Sequence, residues 1–329
     1  MKKALIIGID KYPTSPLTGC VNDARAMDHV LSTHENGDRN FDTQVLIDPQ
    51  RKSDVRRSIR DLFTQGSGDV ALLYFAGHGC VVGHDGYIVM PDYEEGDEGV
   101  SLADILKLAN ESGNHYKNRV IILDCCYSGD ICKTNPNSVG APNIASGVTL
   151  LAACDKDQTA AECIGHGGEF TSLIVFGLRG AAADICGAVT PSGLYACVDR
   201  YFGAWQQRPV FATNVKQRVS LRQMRPMIEK EVLRKMREYF AEYFAEKDIY
   251  ELDPSFEFTN DPNIRHEYVR PYADAEKVKV FKDLQKMERA GLVVPCEETH
   301  MYFAAMNSKS CRLTESGKYI RDLALYGRL

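Results

Sequence analysis

The first 213 residues alternate between two kinds of segment, and this alternation limits the folds open to the chain more than any other feature. Six runs are apolar and β-branched along most of their length, and stretches with helical period lie between several of them. Such strands are typical of a mostly parallel sheet that helices cover on both faces. We therefore predict an α/β fold whose strands are Ala4–Ile9, Gln44–Ile47, Val70–Ala76, Arg119–Leu123, Val148–Ala153 and Pro209–Ala212, and whose helices include Val21–Ser32, Asp54–Phe63, Leu102–Asn110 and Phe170–Ala182.

The composition excludes several other classes of protein. Hydrophobic residues make up 44% and charged residues 26% of the chain, a mixture typical of globular proteins. The apolar stretch that begins at Ala4 stops at Asp10, too early for a signal peptide, and no run approaches the roughly 18 residues that cross a bilayer. Eleven irregularly spaced cysteines predict reduced thiols. We expect a cytoplasmic protein that makes no contact with membranes.

The pattern changes after about residue 213. The net charge of −6 comes from an acidic first part, whereas the last part is slightly basic. We predict a helical linker over residues 214–264 and a small α+β domain over residues 265–329, which resembles a winged helix. The pattern predicts a charged helix over Leu221–Lys247, a helix over Ala275–Ala290, wing strands at Leu292–Val294 and Met301–Ala305, and a last helix over Lys318–Tyr326.

Reactive side chains follow two of the predicted strands. His78 lies between two glycines after Val70–Ala76, and Cys126 follows Arg119–Leu123. Because functional residues gather at the carboxyl ends of parallel strands, these two side chains can form a nucleophilic dyad. The imidazole would accept the thiol proton and later protonate the leaving amine. The backbone N–H groups of Gly79 and Cys126 are then candidates for an oxyanion hole.

These motifs resemble the catalytic pair of the caspase-like cysteine peptidases, of the bacterial metacaspase or orthocaspase type. The pair is Tyr-Phe-Ala-Gly-His-Gly at 74–79 and Asp-Cys-Cys-Tyr-Ser-Gly at 124–129, and His78 precedes Cys126 by 48 residues, close to the spacing of about 50 in caspases. Further segments match in order at 4–12, 17–24, 152–160, 168–171 and 207–210. The resemblance covers residues 1–213 and implies a caspase-like six-stranded sheet and a cysteine endopeptidase.

The resemblance places the nucleophile at Cys126. Cys125 should face the other way, because neighbouring residues of a strand point to opposite faces, and we expect it to be a buried thiol. Two alternatives stay open. One is a zinc site formed by Cys125, Cys126 and His78, although paired zinc ligands are usually spaced further apart. The other is a reduced core cysteine near an unrelated histidine.

The resemblance also implies a specificity pocket formed by Asp23 and Asp124. In metacaspases the matching aspartates hold an Arg or Lys side chain, so we expect protein or peptide substrates to be cleaved after Arg or Lys. Two carboxylates around one guanidinium give charge-assisted, bidentate hydrogen bonds. The alternative for Asp23 is an acidic residue that only stabilises the first turn of its helix. Cys20 is expected to be a small apolar residue that packs beneath Asp23.

Calcium and self-processing are two further properties of many metacaspases. The family's calcium segment carries adjacent acids where this chain has Val100–Asp104, of which only Asp104 is acidic. The acidic run Asp92–Glu98 could compensate, but such runs are usually solvated loops. Since calcium takes six to eight oxygen ligands, we predict that the protein requires neither calcium nor another metal or cofactor. Lys133 is the one basic residue between Tyr127 and Asp155, and it is therefore the predicted site of self-cleavage in that loop.

The last domain can serve two kinds of partner. Its predicted helix at 281–290 alternates basic and acidic residues, which is weak for binding phosphates. We favour docking of a protein over binding of DNA through residues 265–329. A bacterial defence or cell-death role rests on analogy alone. The alternatives to a peptidase are a degenerate caspase-like scaffold and a DNA-binding regulator.

Overall fold

The computed structural model describes residues 1–83, 85–125, 144–153, 162–163, 167–203, 208–241, 248–264 and 268–329. The chain divides into two compact units, Met1–Arg225 and Pro226–Leu329. Among the helices within these ranges, none is long and apolar enough to cross a membrane.

The first unit is built on a six-stranded sheet. Its strands are β1 Lys2–Gly8, β2 Phe41–Ile47, β3 Gly68–Ala76, β7 Tyr116–Asp124, β8 Val148–Ala152 and β12 Val210–Thr213. They lie in the order β12-β8-β7-β3-β1-β2, and all neighbours are parallel except β12 and β8. The predicted α/β fold with a mostly parallel six-stranded sheet is confirmed.

Helices and short strands complete the first unit. The helices are α1 Cys20–Ser32, α2 Lys52–Thr64, α3 Leu102–Glu111, α4 Glu169–Phe176 and α5 Pro191–Tyr201. A small antiparallel sheet consists of β4 Gly79–Val82, β5 Asp85–Glu94 and β6 Asp97–Ser101. Two further pairs are β9 Glu162–Cys163 with β10 Gly167–Gly168, and β11 Ala188–Val189 with β13 Arg222–Gln223.

The central sheet separates two hydrophobic cores. In β1, Ala4 and Ile6 pack with α1 on one face, whereas Leu5 and Ile7 pack with α2 and α3 on the other. Alternate residues of β3 divide between the two cores in the same way. This arrangement explains why the inner strands are apolar at successive positions: both of their faces are covered, so side chains that point either way are buried.

The second unit combines helices with a three-stranded antiparallel sheet. Its elements are α6 Lys230–Tyr239, β14 Ile249–Glu251, α7 Ala275–Arg289, β15 Val293–Pro295, α8 Met301–Met306, β16 Ser310–Leu313 and α9 Glu315–Leu325. The sheet order is β14-β16-β15. Thr314 caps α9 by accepting a hydrogen bond from the backbone N–H of Gly317 at 3.0 Å.

Two predicted elements of this part of the chain were wrong. Met301–Ala305 is a helix, because Met301, Ala304 and Ala305 are buried with helical spacing, and the strand that pairs with β15 is β16. The helix predicted over Leu221–Lys247 begins only at Lys230. Pro226 disfavours helical backbone at the residue before it, and Arg222 is drawn into a strand with β11. The winged-helix likeness stays a prediction.

Candidate active site

The carboxyl ends of β3 and β7 lie side by side in the central sheet. Ala76, the last residue of β3, is paired with Asp124, the last residue of β7. The backbone N–H of Gly77 donates to the carbonyl of Asp124 at 3.3 Å, one step beyond this pair. The two segments that carry the predicted dyad therefore follow strands that end at paired positions of the sheet.

His78 is half-buried and is held on two sides. Its Nε2 lies 2.7 Å from the carbonyl oxygen of Ser15, and its ring packs against the ring of Tyr12 with centroids 4.5 Å apart. Ser15 adopts a left-handed φ of 60°, which is uncommon for a residue with a side chain. Because a carbonyl oxygen only accepts, Nε2 carries the ring proton, and Nδ1 is the acceptor of the neutral imidazole.

Tyr12 also fixes the backbone at His78. Its hydroxyl accepts a hydrogen bond from the His78 N–H at 3.0 Å and donates to the carbonyl of Val89 at 3.3 Å. Burial of the phenol raises the pKa of Tyr12, which keeps the hydroxyl protonated. A Cβ atom at Gly77 would lie 2.6 Å from this hydroxyl, so the turn between β3 and His78 requires glycine.

Of the two cysteines that follow β7, the structure describes Cys125 and not Cys126. Cys125 is 2% exposed and packs in the core on the α2 and α3 side of the sheet, as expected for a buried thiol. Cys126 and Lys133, the predicted nucleophile and the predicted self-cleavage site, lie outside the described residues. Gly79 begins β4 opposite Ile88, and its predicted role as an oxyanion donor stays a prediction.

Asp23 and Asp124 come together around one glycine. Asp23 is 5% exposed on the buried face of α1, and its Oδ2 accepts a hydrogen bond from the backbone N–H of Gly168 at 2.8 Å. Asp124 is 8% exposed, and a Cβ atom added to Gly168 would overlap with its carboxylate. The structure thus brings the two predicted pocket residues to the same place, one from a helix and one from a strand. Cys20, the first residue of α1, belongs to the core on this face of the sheet, and its packing beneath Asp23 stays a prediction.

A third buried group is coupled to this pair. The hydroxyl of Thr171 donates to Oδ2 of Asp124 at 2.6 Å, its backbone N–H donates to the same oxygen at 3.2 Å, and the hydroxyl of Tyr74 lies 2.7 Å from the Thr171 hydroxyl. Burial, and then the negative charges of Asp124 and Asp23, raise the pKa of Tyr74. The Tyr74 phenol is linked to Asp124 through the Thr171 hydroxyl.

Comparison with known proteins shows the family of the chain. The family model of the caspase domain matches residues 1–237. The chain belongs to the caspase domain family. Caspase-domain proteins are cysteine peptidases, so membership supports a peptide-hydrolysing function.

Two solved structures are similar to this caspase domain, and the first of them shows the fold alone. The crystal structure of protein GSU0716 from Geobacter sulfurreducens is 16% identical, with a TM-score of 0.50, and the match covers 69% of this chain and 98% of that one. Caspase-1 from Spodoptera frugiperda is 13% identical, with a TM-score of 0.47, and the match covers 68% of this chain and 90% of that one. A search of the curated proteins finds no match.

The acidic run of the small sheet is bound by cations of the chain itself. Lys52 lies 2.7 Å from Asp97, and Arg56 lies 3.0 Å from the same carboxylate. Both oxygens of Asp92 accept from the backbone N–H of Lys52, at the start of α2. Among the described residues, no group of three or more His, Cys, Asp or Glu side chains is placed to hold a metal ion.

Reasoning from the sequence missed three residues of this site. Tyr12 and Ser15 hold His78, and Thr171 holds Asp124. Tyr12 and Thr171 lie in segments that match the family, which was a usable signal, although nothing in the sequence assigned them a partner. Ser15 contributes a backbone carbonyl, for which residue type gives no signal.

Proposed function

We propose that this caspase domain is a cysteine endopeptidase that cleaves after Arg or Lys, with Cys126 as nucleophile and His78 as general base. The observation that carries the proposal is the register of Ala76 with Asp124. His78 and Cys126 each follow two residues after this pair. Neighbouring strands lie about 4.8 Å apart. Because both residues lie two positions beyond a cross-strand pair, the spacing favours side chains of His78 and Cys126 close enough for a proton transfer.

The orientation of the imidazole suits the general base. Because Nε2 of His78 donates to Ser15, the acceptor Nδ1 is the atom left to take the thiol proton. The thiolate of Cys126 would attack the substrate carbonyl carbon, with the oxyanion held by the N–H groups of Gly79 and Cys126. His78 would then return the proton to the leaving amine. Water would hydrolyse the thioester and restore the thiol.

The two buried carboxylates support the preference for a basic side chain. Asp23 and Asp124 are 5% and 8% exposed, and carboxylates removed from water are stabilised by a cation that contacts them. The guanidinium of a substrate arginine can bond both carboxylates, whereas an aspartate side chain would be repelled by them. A pocket of this charge therefore selects Arg or Lys.

Self-cleavage after Lys133 would leave the two fragments associated. The guanidinium of Arg119, in β7, donates to the carbonyl of Ser146 at 2.8 Å and to that of Ala109 at 2.9 Å. Strand β8 is also paired on both sides, with β7 and with β12. A Lys133→Ala protein should stay intact on a denaturing gel while the native protein gives two bands. The same two bands from Lys133→Ala would contradict cleavage at this residue.

The second unit suits a protein partner better than DNA. Several of its lysines are already paired with acids: Lys235 with Asp283, Lys286 with Glu229, and Lys279 with Glu276. Fewer cations are thus left for phosphates, whose binding depends on unpaired positive charge. Tyr319 and Tyr326 are 64% and 63% exposed, as is common at protein interfaces. Salt-sensitive binding of a DNA duplex by the full chain would contradict this preference.

The deciding experiment is hydrolysis of a fluorogenic peptide that ends in arginine. The native protein should release the fluorophore, and Cys126→Ala and His78→Ala should not. Cys125→Ala is the matched control, because this neighbouring thiol is buried in the hydrophobic core and its variant should stay active. The rate should be unchanged in a calcium chelator, since Lys52 and Arg56 already bind Asp97. No hydrolysis by the native protein, with or without calcium, would favour a degenerate scaffold.

A further inference from the structure

A cavity opens at the end of the central sheet where β8 begins. It encloses about 320 Å³ between the start of β8, the end of β12 and the start of α5. Thr149, the second residue of β8, lines the cavity, whereas Ala152, the last residue of β8, is paired with Leu123 near the proposed active site. Because parallel strands carry their active sites at their carboxyl ends, this cavity is separate from the site of Asp23, Asp124 and His78. Its volume lies within the range of small-molecule pockets.

The hydroxyl groups that line the cavity can donate hydrogen bonds to a ligand. The hydroxyls of Thr149 and Thr213 lie 2.8 Å apart, and those of Thr190 and Ser192 lie 3.1 Å apart. One hydrogen bond within each pair uses one of its two hydroxyl protons, so each pair can offer the other proton to a ligand. Thr190 already accepts from the backbone N–H of Gly193 at 3.1 Å, which favours its acting as a donor.

Arg218 adds a positive charge to these donors. Its side chain lines the cavity and forms an ion pair with Asp184 through one guanidinium nitrogen. The carboxylate of Asp184 is itself held, because its other oxygen accepts from the N–H groups of Cys186 at 2.8 Å and Ala188 at 3.0 Å. Asp184 therefore contacts the guanidinium without lining the cavity. All nine lining residues lie in the described part of the chain, and none of them is acidic.

The remaining walls are apolar. Phe211, from β12, and Val219 line the cavity together with a proline and a second valine. The ring of Phe211 is stacked on Tyr195 at 4.9 Å between centroids, which fixes its orientation. A ligand that satisfies both kinds of wall needs an anionic end for the donors and an apolar end for these side chains.

From this lining we infer that the cavity binds a small organic phosphate ester. A phosphate group has three acceptor oxygens, enough for the guanidinium of Arg218 and for a hydroxyl proton from each pair, whereas a carboxylate has two. The organic part of the ester would pack on Phe211 and Val219. Such a ligand would bridge β8, β12 and α5. It would stabilise the folded first unit, since it binds that state and not the unfolded chain.

Phenyl phosphate is a suitable probe for this inference. Calorimetric titration of the full chain should give one saturable site for phenyl phosphate, and weaker binding of inorganic phosphate and of benzoate. Arg218→Gln should weaken the binding of phenyl phosphate by at least about tenfold, as expected for the loss of a hydrogen bond between charged groups. Thr213→Val, a second variant in the lining, should weaken it less.

The control is Arg57→Gln. Arg57 is also an exposed arginine paired with an aspartate, Asp54 at 3.2 Å, but it lies on α2 outside the cavity. This variant should bind phenyl phosphate as the native protein does. No saturable binding at millimolar concentrations, equal loss in Arg218→Gln and Arg57→Gln, or inorganic phosphate binding as tightly as phenyl phosphate would each overturn the inference. None of these measurements depends on peptidase activity.

Discussion

Tyr12 and His78 form one positioned unit, although they come from different strand ends. Their rings pack with centroids 4.5 Å apart, and the Tyr12 hydroxyl accepts the backbone N–H of His78 at 3.0 Å. The same hydroxyl donates to Val89, in the small sheet that follows His78. Tyr12 thus links the histidine to the small sheet that follows it, and we infer that it acts as a positioning residue.

Tyr12→Phe should therefore lower turnover while the fold persists. The variant keeps the ring contact with His78 but loses both hydrogen bonds of the hydroxyl. The loss of a hydrogen bond worth about 1 kcal/mol would reduce kcat roughly fivefold if it loosens the imidazole, with KM little changed. Steady-state kinetics on the peptide that ends in arginine measure kcat and KM separately. Tyr93→Phe, at a half-exposed position, is the control; an unchanged kcat in Tyr12→Phe would show that the hydroxyl does not position His78.

Asp23→Asn should reduce the preference for a charged substrate. The amide oxygen can still accept from Gly168, so the variant removes the charge and keeps the hydrogen bond. Peptides that end in arginine or in uncharged citrulline have nearly the same shape. The ratio of their kcat/KM values should fall by at least about tenfold in Asp23→Asn.

The control for this substitution lies on the same helix. Asp28 accepts a hydrogen bond from the hydroxyl of Thr43 at 2.6 Å and lies outside the proposed pocket, so Asp28→Asn should keep the native ratio. An Asp23→Asn protein that discriminates as well as the native one would remove Asp23 from the pocket. Preferential cleavage after aspartate by the native protein would overturn the basic specificity altogether.

Gly168→Ala should inactivate the enzyme more than it destabilises it. The added methyl would overlap with the carboxylate of Asp124, while the N–H of Gly168 must still reach Asp23. One of the two carboxylates must move, and a displacement of about 1 Å can cost roughly a hundredfold in rate. Gly113→Ala is the matched control, since its methyl would come no closer than 3.7 Å to a neighbour, Arg119. Equal kcat/KM values for the two variants would contradict the tight fit at Gly168.

Thr171 and Tyr74 should be energetically coupled. Both are at most 1% exposed, and their hydroxyls are 2.7 Å apart. Thr171→Val leaves Asp124 without this hydroxyl donor and the Tyr74 hydroxyl without its acceptor, and it should lower the free energy of unfolding by about 1–3 kcal/mol. Tyr74→Phe in the same protein should cost less than it does alone, by roughly 1 kcal/mol. Urea titration of the native protein, the two single variants and the double variant measures these free energies. Strictly additive effects would show that the two hydroxyls do not interact.

Much of the first unit could be predicted from sequence because its signals are local. An apolar run such as Val70–Ala76 is buried on both faces wherever it lies, so its pattern predicts a strand in a covered sheet. The glycines on both sides of His78 were also informative, because they too are a local signal in the sequence. One error arose because the pattern was short: Met301–Ala305 contains too few residues to separate a strand from one and a half turns of helix. The other arose in a long charged pattern, where Pro226 and the pairing of Arg222 with β11 delay the start of the helix.

The sequence by itself determined the strands, their helices and the residue types that could carry chemistry. Only the tertiary structure decided which of those residues meet. Asp23 and Gly168 are 145 positions apart, and their hydrogen bond exists because α1 and the chain before α4 pack on the same face of the sheet. Such a contact depends on strand order and register, which arise from the packing of the whole core. The sequence near either residue therefore carries no record of the other.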